Sequence, residues 1–109
     1  MTQLPDNKKI TVIFRIEAGC LGPQGASHVV DFSGVAQQKL AARFPDFIKW
    51  DVSPRDDKNL PELDYGIGAR LLTRDQAQRY LAALDTPIDD LEQQVFDHLP
   101  QLIDQYFGR

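Results

Sequence analysis

Cysteine and long hydrophobic runs are the two features that this sequence most lacks. Cys20 is the single cysteine, which excludes a disulfide within the chain and a zinc site built from several thiolates. The apolar run at residues 10–14 ends at Arg15, so it is far shorter than the roughly 20 residues of a membrane span. It also falls short of the apolar core of a secretory signal. We therefore expect a soluble cytoplasmic protein that does not associate with membranes.

Histidine and positive charge are also scarce. The two histidines, His28 and His98, are far apart in the sequence, so no pair has metal-ligand spacing. Twelve Lys+Arg residues against sixteen Asp+Glu residues give a formal net charge of −4. An acidic chain is poorly suited to a phosphate backbone, and the basic residues Arg70, Arg74 and Arg79 form only a small group. We therefore expect no metal, no cofactor and no nucleic-acid partner.

The composition itself is that of a folded domain. Hydrophobic residues make up 42% and charged residues 26% of the chain, which are ordinary values for globular proteins. A length of 109 residues suits one domain. The polar segment 1–8 contains Pro5 and is predicted to be a flexible tail. Residues 9–109 are predicted to form a single domain.

Hydrophobic periodicity predicts three strands and one helix in the first two thirds of the sequence. Apolar residues alternate with polar ones in residues 9–17, 47–53 and 63–72, which is typical of strands. In residues 27–44 they recur every three or four positions, which predicts a helix that Pro45 ends. Ser27 is its candidate N-cap, and because of Gly34 a start as late as Ser33 is the alternative.

Two further helices have recognisable start signals. Thr73 begins a capping box with Gln76, and Thr86 followed by Pro87 is an N-cap with proline at the first helical position. Pro100 lacks an N–H group and is expected to bend or break the last helix near Phe96. Gly108 is a plausible helix stop.

The order β-α-β-β-α-α predicts an α+β fold, a two-layer open-faced sandwich. It has a three-stranded mixed sheet with helices mainly on one face. The first two strands should be parallel, and the third should run antiparallel to the second. The outer face of the sheet is then expected to be a charged platform with two glycines. Its predicted members are Arg15, Glu17, Lys49, Asp51, Arg70, Gly66 and Gly68.

The glycine-rich turn after the first strand is the most distinctive segment. Ligands bind where strand ends meet helix starts in open sheets, and free N–H groups at a helix start attract anions. The spacing matches neither the dinucleotide fingerprint nor a phosphate-binding loop, so a plain chain reversal is the alternative. The candidate binding residues are Gly19, Cys20, Gly22, Gly25 and Ser27.

A thiol-dependent site is a second hypothesis for the same turn. Cys20 precedes His28, which lies in the first turns of the following helix, and a histidine can act as the base for a thiolate. Such chemistry needs the sulfur and the ring within hydrogen-bond reach. The alternative is a small apolar Cys20 and a surface His28.

The last predicted helix carries more apolar side chains than one packing face needs. Phe96, Ile103 and Phe107 lie beside its main apolar stripe. A stripe this wide packs either in a groove within the domain or against another chain. These three residues are therefore candidate interface residues for a protein partner or for self-association.

Two functions from different classes follow from these observations. The first is a non-enzymatic module that binds a protein partner, a second copy of itself or a ligand, because no convergent set of acid, base, nucleophile and metal ligands is visible. The alternative is a thiol-dependent or anion-binding enzyme site at Cys20 and His28. A nucleic-acid accessory role through the three arginines is a third hypothesis.

Overall fold

The structure is a computed structural model that describes residues 4–109, and it confirms an α+β fold. Three helices accompany a four-stranded sheet. The elements are β1 (Ile10–Ile16), α1 (Gly25–Leu40), β2 (Ile48–Pro54), β3 (Leu63–Ile67), β4 (Arg70–Leu72), α2 (Arg74–Ala83) and α3 (Ile88–Phe107), with short 3-10 turns at Asp6–Lys8 and Ala18–Leu21.

The sheet is mixed, with the strand order β2-β1-β3-β4. β1 is central and pairs in parallel with β2 and antiparallel with β3. The predicted parallel arrangement of the first two strands is therefore confirmed. The third strand runs antiparallel to the second as predicted, but the two flank β1 and do not pair with each other.

The prediction of three strands is wrong, because residues 63–72 form a hairpin instead of one strand. Gly68 has a φ of 59° and forms with Ala69 the two-residue loop between β3 and β4. A glycine at the first position of such a loop adopts the positive φ that a tight hairpin turn requires. The Gly68-Ala69 pair was the signal for this turn.

The hairpin also changes which residues share the outer face. Arg70 pairs with Ile67 and therefore lies on the helix side at the sheet edge, so its prediction as an outer-face residue is wrong. Leu71 pairs with Gly66 and is 59% exposed on the outer face. The turn shifts the alternation of side chains relative to a continuous strand.

One core lies between the sheet and the three helices. The alternating apolar residues of β1 are buried, as the period of two predicts, and so is Trp50 of β2. Residues from α1, α2 and α3 belong to the same cluster, which places the helices together against one face. The largest fully buried side chains are Phe14, Phe32, Ile10, Ile16, Leu40, Leu81, Leu91, Leu102 and Val12.

The helix ends differ from the predictions at three points. α1 begins at Gly25 with Gln24 as N-cap, so the prediction of Ser27 as cap is wrong. It ends at Leu40, several residues before Pro45. Pro87 is itself the N-cap of α3, and the Thr86 hydroxyl donates to the Leu84 carbonyl instead of capping the helix.

The predicted capping box of α2 and the predicted helix stop at Gly108 are confirmed. Thr73 and Gln76 form the capping box of α2, with the Gln76 amide donating to the Thr73 hydroxyl at 3.1 Å. Gly108 ends α3 with a φ of 75°.

Pro100 does not break α3, which runs through it to Phe107. Because Pro100 has no N–H, the Phe96 carbonyl loses its usual intrahelical donor.

The outer edge of β2 is covered by α1 and the segment that follows it. The Gln37 side chain donates from Nε2 to the Trp50 carbonyl and accepts from the Val52 amide, each at 2.8 Å. The Ile48 amide donates to the Phe44 carbonyl at 2.9 Å. The Trp50 indole donates to the Arg43 carbonyl at 2.9 Å. The bonds to the backbone of Ile48, Trp50 and Val52 occupy groups that would otherwise pair with another strand.

Part of the predicted tail contacts the domain. Residues 1–3 lie outside the described part of the chain, so the prediction for them is not addressed. Leu4 packs against the core, and its amide donates to the Asp46 carbonyl at 2.8 Å. Among the helices of residues 4–109, none combines the length and the apolar character that crossing a bilayer requires.

Candidate functional site

The turn after β1 and the end of α3 line an open cavity of about 510 Å³. The 3-10 turn Ala18–Leu21 and the start of α1 form one wall, and the last turn of α3 forms the other. Of the residues singled out in the sequence, the cavity brings together Cys20, Gly22, His28 and Phe107. The complete lining is Cys20, Leu21, Gly22, Pro23, Gln24, His28, Phe107 and Arg109.

Two positions of the turn require glycine, one because of a close backbone contact and one because of a positive φ. A Cβ atom on Gly25 would lie 1.8 Å from the Ala18 carbonyl oxygen, so only glycine lets α1 start this close to the 3-10 turn. Gly22 has a φ of 92°, which side-chain-bearing residues rarely adopt. Gly19 faces open space, and Ser27 is exposed. The glycines therefore build the turn that forms the cavity wall.

The backbone donors of this turn are already engaged. The amides of Gly22, Gly25 and Ser27 donate to carbonyls of the same turn at 3.3, 3.0 and 3.0 Å. The Cys20 amide donates to the Glu17 backbone carbonyl at 3.0 Å. In this conformation these four N–H groups are not available to an anion.

Cys20 is exposed at the cavity, but its chemistry differs from that of a reactive thiolate. Partial burial of the sulfur raises the pKa of the Cys20 thiol, and the carboxylates of Glu62 and Glu17 raise it further. A nucleophilic cysteine needs a lowered pKa from neighbouring positive charge or a helix start. At neutral pH the cavity therefore presents a protonated thiol.

A polar chain anchors His28 behind the cavity. Its Nδ1 lies 3.3 Å from the Tyr106 hydroxyl, which in turn donates to Asp31 Oδ2 at 2.8 Å. The Tyr106 ring also packs edge-on against His28 and Phe32, with ring centres 5.8 and 5.4 Å apart. Hydrogen bonding to Asp31, and then burial, raises the pKa of Tyr106. Tyr106 therefore contacts the imidazole both through its hydroxyl and through its ring.

The opposite wall combines an aromatic ring with a positive charge. The Phe107 ring lies edge-on to His28, with centres 5.2 Å apart. The Arg109 guanidinium lies over the Phe107 ring at 5.2 Å from its centre, and its Nε is 3.7 Å from Asp104 Oδ1. The cavity therefore offers two aromatic faces, one cation and the ring nitrogen of a histidine.

A charged cluster of Glu17, Arg55 and Lys58 lies next to the turn. Glu17 pairs with Arg55 and Lys58, and hydrogen bonding to Lys58 lowers the pKa of Glu17 against the effect of burial. The Arg55 guanidinium also donates to the Leu60 carbonyl at 3.0 Å, which closes the charged loop 55–62 on itself. The Arg55 amide donates to the Ile16 carbonyl at 2.8 Å, which joins this loop to the end of β1. From the sequence alone, residues 55–62 are predicted only to be an exposed loop.

Most of the predicted interface and basic residues lie outside the cavity, and only Phe107 of them lines it. Phe96 is 41% exposed and packs edge-on against Phe14. Ile103 and Phe107 are partly buried against the core, which covers much of the predicted interface stripe within the domain. Arg74 pairs with Asp89 and Glu92, and Arg79 pairs with Asp75 on α2.

Two smaller concavities lie away from this cavity. One, of about 400 Å³, follows the turn from α2 to α3 around Asp85 and Pro87. The other, of about 180 Å³, lies beside His98 and Arg43. Burial, and then the Arg43 charge, lowers the pKa of His98. Within residues 4–109, no three His, Cys, Asp or Glu side chains are grouped closely enough to hold a metal ion.

Sequence reasoning missed Asp31, Tyr106 and Arg109 as members of this site. The spacing of His28 and Asp31 on one helix face was a signal for a local contact. Tyr106 and Arg109 join only because α3 folds back against α1, which no local pattern encodes. In comparisons with protein-family models, curated proteins and solved structures, no match to this chain was found.

Proposed function

We propose that this protein is a small-molecule-binding module whose ligand occupies the cavity between the turn after β1 and the end of α3. The observation that supports this most is the fixed orientation of His28, which Tyr106 and Asp31 hold at the cavity wall. Binding sites combine apolar walls with a few positioned polar groups, and a cavity of about 510 Å³ is within the usual size range.

The lining defines the class of ligand that fits. The rings of His28 and Phe107 favour a planar aromatic or heteroaromatic group, because ring pairs interact at edge-on and offset geometries. The Arg109 guanidinium favours a polar or anionic substituent at the same end. We therefore propose a compact aromatic compound with one polar group as the ligand, in a cytoplasmic setting.

The other functions expected from the sequence have less support. A thiol-dependent reaction at Cys20 requires a thiolate, whereas its surroundings favour the protonated thiol. Association with a protein partner or a second copy rests on the exposure of Phe96, since Ile103 and Phe107 pack within the domain. Phe96 is therefore the residue to truncate if the protein proves to be oligomeric.

Benzamide is a suitable probe for the cavity, because it is a planar aromatic compound with one polar group. We expect saturable amide chemical-shift changes at Gly22, His28 and Phe107 when it is titrated into the protein. Its affinity should be on the order of 1 mM, which corresponds to about 4 kcal/mol of binding free energy.

Cys20 allows the cavity to be blocked at one position. A benzyl group attached to it through a disulfide should abolish benzamide binding, because the single cysteine lies in the cavity wall. The Cys20→Ser variant treated with the same reagent is the matched control and should still bind. The proposal is wrong if the shifts do not saturate, or if they cluster at the concavity around Asp85 and Pro87.

A further inference from the structure

The geometry of the hydrogen bonds between His28, Tyr106 and Asp31 determines which group donates in each of them. The Tyr106 hydroxyl lies 2.8 Å from Asp31 Oδ2, and an ionised carboxylate only accepts hydrogen bonds. The single phenolic proton is therefore committed to Asp31. The raised pKa of Tyr106 keeps this proton in place at neutral and moderately alkaline pH.

His28 must then be the donor in its contact with Tyr106. Its Nδ1 lies 3.3 Å from the hydroxyl oxygen, which can only accept at this side because its proton is already used. A neutral imidazole carries one N–H group, so a proton on Nδ1 leaves a lone pair on Nε2. Because Nδ1 is occupied by Tyr106, Nε2 is the ring nitrogen left for a ligand in the cavity.

We propose that Asp31 and Tyr106 hold His28 in its Nδ1–H tautomer, so that the cavity presents an acceptor at Nε2 and selects ligands carrying an N–H or O–H donor. The part concerning ligands rests on the proposed function, whereas the tautomer is a property of the protein alone. Asp31 and Tyr106 are positioning residues, since they act on the ligand only through His28.

Asp31 determines the direction of both hydrogen bonds. Without its carboxylate, the Tyr106 hydroxyl is free to donate to Nδ1, and His28 then carries its proton on Nε2. The Tyr106 ring would keep its position in both cases, because it packs against His28 and Phe32. Loss of Asp31 therefore changes the chemistry that the cavity presents without removing any of its lining residues.

Long-range ¹H–¹⁵N spectra of the two histidine rings, recorded under alkaline conditions, test the tautomer directly. We expect a protonated Nδ1 and an unprotonated Nε2 for His28 in the wild type. Asp31→Ala should reverse this assignment. Tyr106→Phe removes the hydroxyl that accepts from Nδ1–H, so this variant should no longer favour the Nδ1–H tautomer. Asp90→Ala, which changes an exposed carboxylate on α3, should leave it unchanged. An Nε2–H tautomer in the wild type, or an unchanged one in Asp31→Ala, would overturn the inference.

A pair of probes tests the ligand preference separately. Benzamide has an N–H donor that N,N-dimethylbenzamide lacks, and we expect the wild type to bind benzamide about fivefold more tightly. Asp31→Ala should remove this preference. Equal binding of both probes by the wild type refutes donor selection. If neither probe binds, the proposed function and the ligand preference both fail, while the ring spectra still decide whether the tautomer is correct.

Discussion

Gln37 and Trp50 are joined by a hydrogen bond that closes the edge of the sheet. The Gln37 side chain donates to the Trp50 carbonyl at 2.8 Å, and its oxygen accepts from the Val52 amide two residues further along β2. One residue of a neighbouring parallel strand would bond to the same two groups. The side-chain amide therefore occupies a ladder position on a strand edge that would otherwise be open to another chain.

Replacing Gln37 with alanine should both destabilise the protein and expose this edge. Loss of two hydrogen bonds to β2 should cost about 1–2 kcal/mol of unfolding free energy. Fluorescence of Trp50, the single tryptophan, reports unfolding in denaturant. Light scattering should show association that rises with protein concentration. Gln38→Ala changes the exposed neighbour and should have neither effect. This role would be contradicted if Gln37→Ala had the same unfolding free energy as Gln38→Ala and showed no more association in light scattering.

Two glycines of α1 should respond in opposite directions to alanine. Gly25→Ala places a Cβ atom 1.8 Å from the Ala18 carbonyl oxygen, so it should cost at least about 3 kcal/mol. Gly34 is exposed, and a Cβ atom there has no neighbour within 4 Å. Gly34→Ala should therefore stabilise the helix by about 0.5–1 kcal/mol. Denaturant unfolding measures both, and equal effects of the two variants would refute the packing described at the start of α1.

Tyr65 should make the protein less stable at high pH. Its hydroxyl donates to Glu92 Oε2 at 2.6 Å, and burial together with this bond raises the pKa of Tyr65. Above the ordinary tyrosine pKa of about 10, the unfolded chain releases the proton while the folded protein keeps it. Unfolding free energy should therefore fall as pH rises, by up to about 1.4 kcal/mol per pH unit for this one group.

The Tyr65→Phe variant isolates that contribution. It should lose about 1 kcal/mol near neutral pH, because the hydrogen bond to Glu92 is gone. Its stability should then decline less steeply than that of the wild type above pH of about 10. Denaturant unfolding at a series of pH values gives both curves. Parallel curves for the two proteins would show that Tyr65 ionises as easily in the folded state as in the unfolded chain.

Cys20 should be alkylated slowly at neutral pH. Its thiol pKa is raised by burial and by Glu62 and Glu17, so the reactive thiolate forms only under more alkaline conditions than usual. The rate with iodoacetamide, followed against pH, should have its midpoint above that of the unfolded chain. Glu62→Gln should move the midpoint down, whereas Asp90→Asn should not. Fast alkylation at neutral pH would instead favour the thiol-dependent site.

Local patterns in the sequence predicted the main elements, because a strand or a helix is encoded by neighbouring residues. The alternation in β1 and the capping box at Thr73 are examples, and both are confirmed. The hairpin was missed because the alternation across residues 63–72 predicts one continuous strand, with Gly68 on its outer face and not in a turn. Position 25 at the start of α1 requires glycine because of the Ala18 carbonyl, a contact that periodicity does not show.

The candidate site was predictable only in part, because its two walls come from distant segments. Cys20, Gly22 and His28 are near in sequence and share the turn after β1, so local reasoning found them. Tyr106 reaches His28 and Asp31 only once α3 packs on α1. The role of that contact depends on the direction of one hydrogen bond, which no residue pattern specifies.

The ratio of benzamide dissociation constants between His28→Ala and His98→Ala tests the central claim most directly. These variants remove the two histidines of the sequence one at a time, and only His28 lies in the cavity. Loss of its ring and hydrogen bond should weaken binding about tenfold. His98→Ala should bind as the wild type does. Equal dissociation constants for the two variants would contradict a ligand site at the cavity between the turn after β1 and the end of α3.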